Sequence, residues 1–294
     1  MNWYALDLTC EAAAREAAEY ALTEAGALGT ESQAPAGPDG RPVEGAFVRV
    51  TGYFETPPLV ERVRASLAES LRIYGLESSG VRDVQPREVA EADWLAEWKR
   101  GWRPVEVGRR FVVAPPWSEV AAAPGRVVIR IEPGMAFGTG THETTRLCLA
   151  AIERHFRGGS FLDVGTGTGV LAIAAARLDP SARVEACDTD PLAVSVAEEN
   201  ARLNGVGGRI EFRVGTVTEE TASADVTCAN LTADVILPLL PALIGATCGR
   251  LILSGILDTQ AEEVRARLRE LGADAHEVTR EGEWVAVTVM TSAE

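Results

Sequence analysis

Lysine is all but missing from this chain. Lys99 stands alone among 28 basic residues, the other 27 being arginine, a bias of composition rather than the mark of a site. Histidine is scarce too, at three residues. The five cysteines (Cys10, Cys148, Cys187, Cys228, Cys248) are odd in number, widely spread and without a Cys-x-x-Cys pair. That pattern supports neither a disulfide framework nor a zinc site, so no metal is expected, and the thiols are expected to serve as small buried hydrophobes. No apolar run approaches the ~20 residues of a membrane helix. The opening residues, Met1 to Asp7, lack the basic and apolar regions of a signal peptide. Positive charge is outweighed as well. The formal net charge of −15 argues against free nucleic acid as a direct partner and would steer a basic partner toward the surface. What remains is an ordinary globular composition, 46% hydrophobic and 24% charged over 294 residues, enough for one large or two modest domains. It is expected to be cytoplasmic and monomeric.

The most informative stretch is Phe161-Leu162-Asp163-Val164-Gly165-Thr166-Gly167-Thr168-Gly169-Val170-Leu171. An apolar run stops at an acidic residue, passes three glycines at alternate positions, and re-emerges as an Ala-rich helix. Strand, glycine turn and helix form the first unit of a doubly wound α/β domain, whose ligands bind at the carboxyl ends of the strands. Glycines allow positive φ and close backbone approach, and the N-H groups of the following helix point into the same crevice. A dinucleotide site needs Gly-x-Gly-x-x-Gly, but Val170 follows Gly169 here. With Asp163 ahead of it, Gly-x-Gly-x-Gly looks like the S-adenosylmethionine loop of class I methyltransferases; a glycine turn of some other Rossmann-like fold stays open on this segment alone. Asp188 lies 19 residues beyond Gly169, where a carboxylate can accept both ribose hydroxyls.

A second glycine-rich loop runs from Glu132-Pro133-Gly134-Met135-Ala136-Phe137-Gly138 through Thr139-Gly140-Thr141-His142 into a helix from about Thr144 to His155. Hydroxyls at a helix N-terminus suit a polar or carboxylate-bearing ligand. His142 is read first as a hydrogen-bonder that orders this loop, with a ligand contact as the other reading. Beyond Asp188, Ala224 to Leu231 reads as a strand that places Asn230 at its carboxyl edge.

Residues 1–90 read as strand (2–8), helix (10–25), strand (27–31), a Pro/Gly loop, strand (46–54), helix (from Thr56 to about Tyr74) and strand (81–88). The order βαββαβ matches a ferredoxin-like α+β module. It holds no catalytic constellation, so binding is the role expected of it, a purely structural appendage being the alternative. Residues 91–118 carry four of the six tryptophans within 24 residues, with Trp94 and Trp98 on one helical face. This stretch is read as a connector. The expected architecture is a class I methyltransferase Rossmann-like doubly wound sheet over 119–294, preceded by the ferredoxin-like domain.

Several separated motifs then agree. Residues 93–117, Pro133 to His142, Asp163 to Gly169, Asn230-Leu231, Ser254-Gly255-Ile256-Leu257 and Glu281 to Trp284 together resemble the PrmA family, bacterial lysine methyltransferases of protein eleven of the large ribosomal subunit (ribosomal protein L11). The resemblance implies S-adenosyl-L-methionine as cofactor, held by Thr145, Gly165, Gly167, Asp188, Asn230 and Phe137. It implies that L11, a basic protein, is the partner and is recognised by residues 1–90. The acceptors would be lysine side chains, with the N-terminal amine as a further one. Asn230-Leu231 occupies the place of the Asn-Pro-Pro-Tyr motif of amino-group methyltransferases, where an amide oxygen and a backbone carbonyl hold the attacking amine, so these two are the expected catalytic pair. The proline and tyrosine are absent, which leaves Phe137 or Trp284 to supply an apolar wall; Trp284 and His142 are the expected substrate contacts. The alternatives are a class I methyltransferase acting on another protein or a small-molecule amine, a nicotinamide-dependent oxidoreductase disfavoured by Val170, and a non-catalytic ribosome-binding module.

Overall fold

The computed structural model describes residues 3–33, 47–76, 81–89, 102–121, 123–132, 140–273 and 275–291. It divides into two compact units, Met1–Trp102 and Arg103–Glu294.

The first unit contains β1 (Trp3–Glu11), α1 (Arg15–Glu24), β2 (Gly29–Gln33), β3 (Phe47–Phe54), α2 (Val60–Ile73) and β4 (Val81–Val89). Its strands form one antiparallel sheet in the order β2-β3-β1-β4, the ferredoxin-like arrangement. Leu6, Leu8 and Cys10, alternate residues of β1, enter one core with Leu22 of α1 and Val63, Leu67 and Leu71 of α2. Two boundaries differ from expectation. The helix read from residue 10 starts later because Cys10 is still in the sheet, opposite Val48 on one side and Val81 on the other. The helix read from Thr56 begins at Val60 because Pro57 and Pro58 push the residues before them into extended backbone.

The second unit contains β5 (Val105–Val107), β6 (Phe111–Ala114), β7 (Val127–Arg130), α3 (Glu143–His155), β8 (Ser160–Val164), α4 (Val170–Leu178), β9 (Arg183–Asp188), α5 (Pro191–Leu203), β10 (Ile210–Val214), β11 (Ala224–Asn230), α6 (Ala233–Gly245), β12 (Thr247–Leu257), α7 (Ala261–Glu270), β13 (Ala275–Glu281) and β14 (Trp284–Met290). Seven strands form a sheet in the order β10-β9-β8-β11-β12-β14-β13. The first five are parallel, and β14 is antiparallel to both of its neighbours. The chain steps outward from β8 to β10, then returns to lay β11 on the other side of β8. That reversal opens a crevice at the carboxyl ends of β8 and β11. Neighbouring residues of β8 feed separate cores: Phe161 packs with α3 and α4, Leu162 and Val164 with α6 and α7.

β5 and β6 fall in the stretch expected to be a connector. They form a small sheet with β7, and Phe111, Val113 and Ile129 are buried in the core beneath α3 and α4. Phe111-Val112-Val113-Ala114 is a short continuous apolar run, which suits a strand buried on both faces. Trp94 and Trp98 lie outside the described residues. Among the described residues no helix is long and apolar enough to cross a membrane.

Gly52 in β3 faces α1 so closely that a Cβ there would lie 2.9 Å from Leu22 Cδ2 and 3.3 Å from Ala27 Cβ. Gly52→Ala is expected to destabilise the protein by about 1–3 kcal/mol through overpacking, and Leu22→Ala by about 2–5 kcal/mol through the cavity it leaves. In chemical denaturation the double variant is expected to lose clearly less than the sum, since each change relieves the other.

Candidate functional site

The crevice is floored by the turn between β8 and α4. Gly165, Gly167 and Gly169 all have positive φ, at 73°, 52° and 82°, a backbone that side chains on L residues rarely adopt. At Gly165 a Cβ would sit 2.3 Å from Leu231 Cδ2. The close approach that requires glycine there is therefore to a neighbouring leucine rather than to open space.

Two carboxylates hold the turn from either side. Asp163 at the end of β8 is fully buried, and its Oδ2 accepts from the Thr166 hydroxyl at 2.7 Å and from the Ala172 N-H at 3.1 Å. Its Oδ1 has no hydrogen-bond partner among the described residues. Desolvation, with a lesser push from the charge of Asp188, raises its pKa from the ordinary 3.8 to about 7 against the two hydrogen bonds. Asp188, half-buried at the end of β9, accepts the Gly167 N-H at 2.9 Å through Oδ2 and the Asp190 N-H at 3.1 Å through Oδ1. Each oxygen keeps a second lone-pair direction. Asp188 can thus receive a vicinal diol while holding the turn.

The parallel register of β8 and β11 pairs Ala229 with Val164, so Asn230 comes beside Gly165. The Asn230 Oδ1 is buried without a partner among the described residues. Leu231 follows, its N-H bonded to the Ser254 carbonyl at 3.0 Å and its own carbonyl against Gly255, where a Cβ would be 2.3 Å from that oxygen. Thr145, in the first turn of α3, is completely buried, and its hydroxyl is likewise unpartnered among the described residues. His142 caps α3, its Nδ1 accepting from the Thr144 N-H at 3.3 Å and lying 2.7 Å from the Thr144 hydroxyl. That is the loop-ordering role. The ring also meets Trp284 edge-on at 5.2 Å, and Trp284 is itself buried. Phe137, expected on the cofactor, lies outside the described residues.

Asn230, Leu231, Gly165, Gly167 and Asp188 are thus gathered at the carboxyl edges of β8, β9 and β11, and His142 meets Trp284 at the start of α3. Sequence reading assigned no role to Asp163 as an internal anchor, nor to the seating of Leu231 on Gly165. A lone acidic residue closing a buried strand is the signal that pointed to the first. The second depends on pairing between strands far apart in the chain and left none.

Residues 2–292 match the family model described as ribosomal protein L11 methyltransferase (PrmA). The chain belongs to that family. Relatives named ribosomal protein L11 methyltransferase include one from Myxococcus xanthus, 39% identical over 280 residues and 93% of each chain. Another, from Pelotomaculum thermopropionicum, is 46% identical over 214 residues, 71% of this chain and 69% of that one. A solved structure of a ribosomal protein L11 methylase from Lactobacillus delbrueckii subsp. bulgaricus superimposes with a TM-score of 0.60 at 31% identity, over 65% of this chain and 99% of that one.

As a PrmA protein the chain is an S-adenosylmethionine-dependent methyltransferase with the class I Rossmann-like fold. The residues present fit that cofactor. A positive-φ glycine turn, a carboxylate with free lone pairs and the Asn230 amide oxygen lie together at the carboxyl ends of β8, β9 and β11, and that oxygen and the buried Thr145 hydroxyl have no partner among the described residues.

The raised pKa of Asp163 carries a sign. Between about pH 4 and pH 7 the folded chain holds a proton that the unfolded chain has released, so this group makes stability fall as pH rises through that window and adds no further slope above it. Asp163→Asn keeps a neutral acceptor for Thr166 and Ala172. Relative to wild type it is expected to gain stability on going from pH 4 to pH 8, by up to about 4 kcal/mol, in denaturant midpoints measured at the two pH values.

Proposed function

We propose that this chain transfers methyl groups from S-adenosylmethionine to lysine side-chain amines of ribosomal protein L11. Family membership makes the chain a methyltransferase of L11. The observation that carries the amine reading is the Asn230 amide oxygen, buried at the carboxyl edge of β11 beside the glycine turn and without a partner among the described residues. An acceptor without a donor suits a nucleophile that brings N-H groups of its own.

When bound, the cofactor supplies a methyl already activated by a sulfonium. The task left to the protein is alignment. Thr145, Gly165, Gly167 and Asp188 hold and orient the cofactor, Asp188 on the ribose hydroxyls. Asn230 Oδ1 accepts one N-H of the incoming amine and fixes where its lone pair points, while the Leu231 carbonyl stands next to it. Trp284, packed on His142, gives the lysine stem an apolar wall. A lysine must first lose its proton, which at pH 7 costs about 4.6 kcal/mol from a pKa of about 10.4. A partly desolvated site next to a cation lowers that cost, and the proton leaves to solvent. The acidic surface, with a net charge of −15, draws a basic protein toward the site. The reaction belongs to the cytoplasm, where L11 is made.

Incubation of the full chain with purified L11 and labelled donor, followed by peptide mass spectrometry, is expected to place methyl groups on lysine side chains. Labelling of small amines with L11 unmodified would overturn the assignment. Asn230→Ala is expected to slow transfer about a hundredfold while changing donor affinity in calorimetry by less than about threefold; equal losses would make Asn230 a donor-binding residue only. Trp284→Ala with wild-type turnover would remove Trp284 from the substrate wall.

A further inference from the structure

Two asparagines lie one turn apart at the end of α5, Asn200 inside it and Asn204 as its C-cap, with 1% and 6% of their surface exposed. A buried amide must satisfy both its oxygen and its NH2. Asn204 does so on the end of β7: its Oδ1 accepts the Arg130 N-H at 2.8 Å, and its Nδ2 donates to the Arg130 carbonyl at 2.6 Å and to the Asn200 carbonyl at 2.8 Å. Asn200 spans two segments instead. Its Oδ1 accepts the Glu132 N-H at 3.0 Å, and its Nδ2 donates to the Thr168 carbonyl at 2.9 Å. Thr168 lies inside the glycine turn. Glu132 is where the chain leaves β7 for the second glycine-rich stretch, which leads on to Thr145.

We propose that Asn200 is a positioning residue for the methyl donor, locking the glycine turn at Thr168 to the exit of β7 at Glu132 so that the turn is presented in one fixed arrangement. The inference rests on the reading that the donor lies across Gly165 and Gly167. Asn204 supplies an internal control, since it is buried, caps the same helix and makes the same kinds of bond, but does not touch the glycine turn. A residue that only stabilises the fold would behave as Asn204 does.

The two predictions part in donor binding. Asn200→Asp keeps the acceptor for Glu132 and loses the donor to Thr168. At pH 8 it is expected to raise the Kd and KM for S-adenosylmethionine about tenfold, with kcat at saturating donor within about threefold of wild type. Asn204→Ala is expected to lower the melting temperature and leave donor Kd within about twofold. Amide exchange on the wild-type protein adds a test that needs no variant: saturating donor is expected to slow exchange at Glu132 together with Gly167. Wild-type donor affinity in Asn200→Asp, or a Glu132 amide that ignores the donor, would overturn the inference while leaving the methyltransferase reading intact. Failure of the wild-type protein to bind S-adenosylmethionine at all would overturn that reading, and this inference with it.

Discussion

A carboxylate with no exposed surface sits at the pivot of the larger unit. Asp163, next to last in β8, takes a hydrogen bond from the glycine turn through Thr166 and another from the first turn of α4 through Ala172. Three consecutive pieces of backbone are thereby tied to one side chain. The turn itself runs through three left-handed glycines, a conformation that gains little from local preference and must be held from outside. Asp188 holds it from the neighbouring strand, and Asn200 from α5. The rest of the site inherits its geometry from this arrangement, because Leu231 can seat on Gly165 only while the turn keeps its shape.

The chemistry that follows is economical in residues. Among the described residues no side chain at the crevice is arranged as a strong general base, and transfer of an already activated methyl leaves the protein mainly a task of alignment. The Thr145 hydroxyl and the Asn230 amide oxygen are buried without a partner among the described residues, having shed water on folding with no hydrogen bond to replace it there. Such groups cost stability in the empty protein. Their burial at strand ends, rather than in the middle of the core, keeps that cost local to the crevice.

How far the sequence alone leads can be judged from particular residues. The placement of Gly165, Asp188 and Asn230 at strand ends is legible because each stands where an apolar strand gives way to glycine or a polar residue, and the doubly wound arrangement sends those points to one edge. The strand order of the ferredoxin-like unit was legible from alternation in residues 2–8 and 46–54. By contrast, Phe111 to Ala114 was read as connector because tryptophan and proline dominate its surroundings, and only pairing with β7 reveals a strand. The Asn200 clasp joins atoms 32 and 68 residues apart in sequence. Spacing along α5 could single out two asparagines on one face but could not say what backbone they would meet.

The placement of β14 bears on the order in which the molecule is assembled. It is threaded between β12 and β13, with all but one of its residues buried, and its Val285 carbonyl receives the Ser254 hydroxyl directly behind Leu231. Residues 284–290 emerge from the ribosome after every other strand of that sheet. Until then β12 presents a bare ladder edge, and the Ser254 hydroxyl lacks its acceptor. An edge left open in that way exposes unpaired N-H and C=O groups, the surface on which foreign strands pair, until β14 closes it.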